Sequence, residues 1–205
     1  MAEPAYPLAF LERDDGESWP AQGEWTYKDY LRLPDDGRRY EIIHGSLYVT
    51  PAPRWEHQFT VTRLGHYLTG FSLERGLGTV CVAPFDIRLP RRIGNPVQPD
   101  LIFFKKGTEP REGESNFKGI PSLVIEVLSP RTRRIDRGLK MEAYRAAGIS
   151  EYWLVDPRAL TVTVYQLDPK RQYVELSRGG DGDVVTSAVL PGLRLEVSKI
   201  FLPRR

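Results

Sequence analysis

The sequence predicts an α/β fold, and three observations carry that prediction. Apolar runs of strand length recur along the chain, among them Thr79–Ala83, Val97–Phe104, Ser122–Leu128 and Glu151–Val155. Two longer segments, about 55–73 and 135–147, place apolar residues at helical spacing. The run Leu123–Leu128 is apolar on both faces apart from one carboxylate, Glu126, as in a central strand covered on both sides. The expected architecture is a mixed central β-sheet flanked by helices, with additional β-hairpins.

At 205 residues the chain is long enough for one well-buried core and short for two. Residues 1–24 hold Pro4, Pro7, Pro20 and scattered charges without periodicity and read as a loose arm. Residues 25–205 read as a single domain. No apolar run approaches the roughly 20 residues that cross a bilayer. The N-terminus lacks a basic region followed by an apolar stretch, so no secretory signal is expected. The single cysteine, Cys81, lies in an apolar run and reads as a small buried hydrophobe. A cytoplasmic location follows as an expectation. The net charge of +2 is too balanced to diagnose a nucleic-acid partner by itself. Lys105 to Lys140 is more basic, with nine Lys or Arg against five acids, which suits a phosphate-binding surface or a solvated loop.

Taken in order, a short helix begins at Thr26, with Thr26 as cap, Asp29 in the first turn, and Trp25 packing on Tyr30. Pro34-Asp35-Asp36-Gly37 ends it. Arg39–Val49 reads as a hairpin turning through His44-Gly45, stopped by Pro51 and Pro53. The helix 55–73 turns Val61, Leu64, Leu68 and Phe71 to the core. Thr79–Ala83 is a strand that continues through Pro84 towards Leu89; Pro90–Pro96 is a turn and Val97–Phe104 a strand. Lys105–Pro121 is a long loop, read as a flap or a partly disordered segment. The strand to Leu128 is broken by Ser129-Pro130, and Gly148 ends the helix 135–147. Strands follow at 151–155, 161–167, 173–177 and 184–190, with a helical turn at 198–202.

The chemistry concentrates between Val97 and Lys140. A carboxylate in the middle of an apolar strand costs several kcal/mol, as for any buried charge, unless a cation, metal or donor compensates it. Glu126 therefore signals either a site or a structural ion pair. Asp100 sits at the mouth of the strand 97–104. If that strand pairs with 122–128, the two acids lie side by side, and a divalent cation is the simplest thing to hold both ionised. Oxygen donors without clustered His or Cys favour Mg²⁺ or Mn²⁺ over zinc. Helical spacing puts Asp136, Lys140 and Tyr144 on one side of the following helix. There Lys140 serves as the ammonium of a metal site, or as an ordinary exposed lysine paired with Asp136. Glu41 reads as a third acid or a surface residue. His57 reads as a phosphate contact or a helix cap, and Asp86 as a strand-edge residue. Tyr152 and Trp153 read as core.

Pro99-Asp100 followed by Glu126-Val127-Leu128 resembles the PD-(D/E)XK nuclease signature. Several runs in order narrow the resemblance: Tyr40-Glu41-Ile42-Ile43-His44-Gly45, Pro53 with His57, Val97-Gln98-Pro99-Asp100, Ile125-Glu126-Val127-Leu128-Ser129-Pro130, Lys140 with Tyr144, and Gly148–Pro157. Together they are similar to the Uma-type restriction endonuclease family over about residues 25–200. The resemblance implies a restriction-endonuclease-like core of αβββαβ order and Mg²⁺-dependent phosphodiester hydrolysis. It implies Asp100 and Glu126 as metal ligands with the Val127 carbonyl completing the inner shell, and nucleic acid, DNA above all, as substrate. A homodimer is expected where two strands are cut. The chain departs from the signature at position 128, where Leu128 replaces the lysine; the resemblance implies that Lys140 supplies the ammonium. A catalytically impaired nucleic-acid-binding protein on the same fold, and a structural protein with Glu126 in an ion pair, are the rival readings.

Overall fold

The structure is a computed structural model that describes residues 18–50, 52–90 and 93–203. Pro51, most of the expected N-terminal arm and part of the turn at 90–96 lie outside the described residues. The chain opens with a one-turn helix α1 (Tyr27–Tyr30) and the hairpin β1 (Arg39–Ile43)–β2 (Ser46–Thr50). Asp29 accepts hydrogen bonds from both the amide and the hydroxyl of Thr26, which fixes the start of α1. His44 and Gly45 both have positive φ, as a two-residue hairpin turn of the primed type requires. A side chain at Gly45 would also collide with the carbonyl of Gly23, because residues 23–25 hydrogen-bond across the turn. The part of the expected arm that is described thus packs on the hairpin, with Trp19 stacked on Trp25.

The long helix α2 (Trp55–Glu74) leads into β3 (Gly78–Val82), β4 (Asp86–Arg88), β5 (Leu101–Lys105), β6 (Asn116–Lys118) and β7 (Leu123–Val127). A helical segment then runs from α3 (Arg133–Ile135) through a π-helical turn (Asp136–Lys140) to α4 (Met141–Ala147), and Gly148 closes it in the left-handed conformation. Strands β8 (Glu151–Asp156), β9 (Thr161–Leu167), β10 (Tyr173–Gly179), β11 (Val184–Thr186) and β12 (Arg194–Glu196) follow, then a 3₁₀ turn, Val197–Ile200. Six strands form the central sheet in the order β10-β9-β8-β7-β5-β3, with β7 and β8 parallel and the other neighbours antiparallel. The order α2, β3, β5, β7, α3–α4, β8 is the expected αβββαβ run.

Side-chain alternation divides the interior into two layers. Leu101, Phe103, Leu123, Ile125, Val127, Trp153 and Val155 face α2 and the C-terminal segment. Ile102, Phe104, Val124, Leu128, Tyr152 and Leu154 face α4 and the hairpin. Tyr152 and Trp153 are fully buried, as read from the sequence. Leu128 is also core, so the side chain that replaces the signature lysine packs among apolar residues.

Four expectations need correction. The strand expected from Val97 starts at Leu101, because the 97–100 stretch diverts to other partners: Val97 bridges Ile87, and the Gln98 backbone amide donates to Glu41. The segment after Pro84 does not prolong β3; β4 pairs in parallel with β6, a strand within the expected flap. The strand expected at 184–190 stops at Thr186 and pairs with β12, which alternation in so short a run did not reveal. The helix expected from Ile135 starts at Arg133 and contains a π-helical turn.

Glu151 shows how this interior treats a carboxylate without a cation. It is fully buried, and it accepts from the Trp153 indole, the Ser187 hydroxyl and the amides of Ala188 and Val189. These bonds pin the segment after β11 to the sheet. Glu151→Ala would leave several buried donors unpaired, and urea denaturation should show a loss of at least about 3 kcal/mol. A loss within error of zero would mean that the donors find water or other partners.

Candidate active site

The register of β5 with β7 sets the site. Leu101 lies opposite Ile125, so one residue further the antiparallel register aligns Asp100 with Glu126. Alternation turns both carboxylates to the α4 side of the sheet, the face of Ile102, Val124 and Leu128. Beyond Val127 the chain crosses over through α3 and α4, which brings Asp136, Lys140 and Tyr144 above Glu126. The hairpin closes the opposite side with Arg39 and Glu41, two residues of one β1 face.

The residues read as a site therefore converge, and the bland readings of Lys140 and Glu41 fail. Lys140 is only 4% exposed, and its ammonium lies 3.0 Å from Glu126 Oε1, 2.9 Å from Glu41 Oε2 and 3.9 Å from Asp136 Oδ1. Tyr144 donates its hydroxyl to the same Glu126 oxygen at 2.7 Å. Glu41 is buried and accepts the Gln98 amide at 2.7 Å. Asp100 is held from three directions. Arg39 reaches Oδ1 at 3.2 Å, while the His57 ring (Nε2, 3.1 Å) and the Val127 amide (2.9 Å) reach Oδ2. His57 thus does not cap α2; it faces inward onto Asp100. Asp86 lies apart, accepting from Tyr30 and Gln98.

Arg39 carried no signal in the sequence, and Gln98 entered only as a member of the run Val97–Asp100, without a role of its own. Arg39 forks between Asp100 and the Gln98 side-chain and backbone oxygens. Its place two residues before Glu41 in a strand puts the two on one face, and that spacing was the available clue. The π-helical turn was not legible either. It spans Asp136 to Lys140, and Tyr152 anchors it by donating to the Asp136 carbonyl. Of the basic residues between Lys105 and Lys140, Arg133 and Arg137 pair with Asp156, at 2.6 and 3.7 Å. Arg131 lines the cavity above the acids.

Electrostatics follow from burial and count. Four carboxyls, Asp100, Glu126, Glu41 and Asp136, share the site with two permanent cations, Arg39 and Lys140, and with His57. Burial alone would raise the Asp100 carboxyl, but His57, Arg39 and Lys140 outweigh it and hold the group far below the usual carboxylate range. Glu126 goes the other way. Burial raises it, Lys140 opposes, and the neighbouring acids Asp136, Asp100 and Glu41 raise it further. Asp136 is pushed up to about 7, again by burial first, with Lys140 opposing. The Lys140 ammonium is lowered by desolvation but raised overall by Glu126, Glu41 and Asp136, so it stays charged. The cluster carries a surplus of acid that protons satisfy on Glu126 and Asp136.

A cavity of about 120 Å³ opens onto these groups. His57, Asp100, Glu126, Asp136 and Lys140 form its floor, and Arg39, Arg54, Ser129 and Arg131 are among its walls. The donor set suits a hard cation, with carboxylate oxygens and no thiolate. Among the described residues no three His, Cys, Asp or Glu side chains form a metal group by themselves. Two carboxylates with backbone and water completing the shell is the way Mg²⁺ is commonly held. Lys140→Met should cost about 3–5 kcal/mol in metal-free protein, because it leaves buried acids uncompensated. Adding Glu126→Gln should recover much of that. Equal stability of wild type and Lys140→Met in urea titrations would show that the ammonium does not hold the cluster.

No helix among the described residues is long and apolar enough to cross a membrane. No curated protein matches the chain. Among solved structures, the fold is similar to the crystal structure of a "putative nuclease belonging to DUF820" from Anabaena variabilis, at 21% identity and a TM-score of 0.71, covering 86% of this chain and 97% of that one. The family model described as "Putative restriction endonuclease" matches residues 27–198, a span that contains every acid of the cluster together with Lys140 and His57. The chain is thus a member of the Uma2 family of restriction-endonuclease-like proteins.

Proposed function

We propose that the chain is a divalent-metal-dependent endonuclease that hydrolyses phosphodiester bonds of DNA. Asp100 and Glu126 would hold Mg²⁺ or Mn²⁺, with the Val127 carbonyl as a further oxygen donor, and Lys140 would position the attacking water. The observation that carries this reading is the buried Lys140 ammonium bonded to Glu126, across the strand register from Asp100, at the floor of an open cavity. An isolated ion pair needs no such cavity and no surplus of acid.

When bound, the metal would supply Lewis-acid charge and lower the pKa of a coordinated water. The chain supplies the rest. His57, Arg39 and the Val127 amide hold the Asp100 carboxylate ionised and fixed in direction. Glu126 and Glu41 fix the Lys140 ammonium, whose donors can orient a water and stabilise charge developing on the phosphate. Arg54 and Arg131, on the cavity wall, attract the substrate backbone. As the water oxygen bonds to phosphorus the bond to the 3′ oxygen breaks; the water gives its proton to solvent and the 3′ oxygen takes one up from solvent, so the step balances.

A second reading, a nucleic-acid-binding protein that does not cut, has its own support. The Asp100 oxygens already have three partners and Lys140 already bridges two acids, so the cluster is satisfied without a metal. Incubation of circular DNA, both duplex plasmid and single-stranded circles, with Mg²⁺ or Mn²⁺ separates the two. The nuclease opens circles, EDTA stops it, and Asp100→Ala or Glu126→Ala slows it by roughly a thousand-fold. Lys140→Gln slows it by roughly a hundred-fold. Intact circles under every metal, with DNA still retarded in gels, would establish the binding protein.

Metal binding should also depend on pH with a defined sign. In metal-free protein Glu126 and Asp136 keep protons that the unfolded chain releases near the ordinary carboxylate value. Their contribution to stability therefore falls as pH rises above about 4, that of Asp136 until about 7. A metal replaces those protons, so the rise in melting temperature caused by Mn²⁺ should be larger at pH 8 than at pH 5.5. An increment independent of pH would mean that the metal binds away from these acids.

A further inference from the structure

The dimensions of the cavity bear on what kind of strand can be cut. Glu126, Asp100 and Lys140 are each less than 5% exposed, so a scissile phosphate must leave the surface to reach them. The cavity, about 120 Å³, is well below the roughly 300–1,000 Å³ of sites that enclose drug-sized ligands. It admits a phosphate with parts of its sugars. A paired duplex, whose phosphates lie on a stiff cylinder, cannot lower one phosphate into it without unstacking the bases on either side.

A second feature adjoins the cavity wall in sequence. Trp55, on the first turn of α2, is 67% exposed and is the one exposed aromatic side chain among the described residues. It meets Phe59, one turn on, with ring centroids 5.9 Å apart and the rings tilted by 56°, so the indole packs against a second ring. Arg54, which lines the cavity, immediately precedes it, and His57, on the cavity floor, follows two residues later. An exposed indole packed against a second ring, beside a cavity wall that carries Arg54 and Arg131, matches the way proteins hold unpaired strands: bases stack on aromatics while the backbone follows positive charge.

We propose that the substrate is a single-stranded or locally unpaired stretch of nucleic acid, with a base stacked on Trp55 and a neighbouring phosphate passing Arg54 and Arg131 into the cavity. This rests on the nuclease reading and names its substrate class. Stacking tolerates any base, so the inference predicts a preference for strand state and not for a sequence.

The experiment measures fluorescence anisotropy of a labelled 20-nucleotide thymidine oligomer and of a blunt duplex of equal length, with wild-type protein in EDTA so that nothing is cut. The single strand should bind at least about ten-fold tighter, and Trp55→Ala should weaken it by about ten-fold, the effect of losing one stacked base. Trp55→Phe should retain most of the affinity. Trp55 is solvent-exposed, so the melting temperature of both variants should match wild type, which separates lost stacking from lost folding. Equal or tighter binding of the duplex, or no effect of Trp55→Ala, would overturn the proposal. Cutting without a strand preference would defeat this inference and leave the nuclease reading standing. A Trp55-dependent strand preference without any cutting would defeat the nuclease reading and leave the binding mode standing.

Discussion

A carboxylate in the centre of a covered sheet forces most of what surrounds it. Glu126 lies between two apolar layers, where an uncompensated charge costs several kcal/mol. The compensation is local and structural. The crossover after β7 returns Lys140 and Tyr144 to one Glu126 oxygen, and the hairpin supplies Glu41 to the same ammonium. The cluster therefore joins three parts of the chain that are far apart in sequence. It does so with more acid than the permanent cations offset, and that surplus makes a structural cluster a candidate metal site.

The two carboxylates that would share a metal are kept in opposite conditions. Asp100 is surrounded by donors and cations that hold it ionised. Glu126 shares its ammonium with two other acids and gains protons easily. On the proposed reading, one ligand would be ionised in advance, while the other would give up a proton to hold the cation. The π-helical turn contributes here by carrying both Asp136 and Lys140 towards Glu126, and such turns often occur at functional sites.

The sequence disclosed the site better than it disclosed the frame around it. The αβββαβ order, the two long helical segments, the hairpin through His44-Gly45 and the doubly covered β7 were all legible, because period and punctuation carry that information. The limits of β5, the pairing of β4 with β6 and the short β11–β12 ribbon were not. Those depend on hydrogen bonds to distant partners, as when Val97 meets Ile87. Within the cluster, Glu126 stood out as an acid in an apolar strand, whereas Asp100 and Lys140 were named through the expected strand pairing, the helical spacing and the family resemblance. Arg39 and the inward turn of His57 could not, since an arginine at a strand start and a histidine in a helix are ordinary residues until the fold brings them to Asp100.

The central claim is that Asp100 and Glu126 hold one divalent cation with Lys140 beside it. A crystal structure of the wild-type protein with Mn²⁺, read at the manganese absorption edge, tests it most directly. The account predicts an anomalous peak about 2.1–2.2 Å from an oxygen of each carboxylate, with the Lys140 ammonium still bonded to Glu126. A cavity without a peak at saturating Mn²⁺, or a peak elsewhere on the chain, would contradict it.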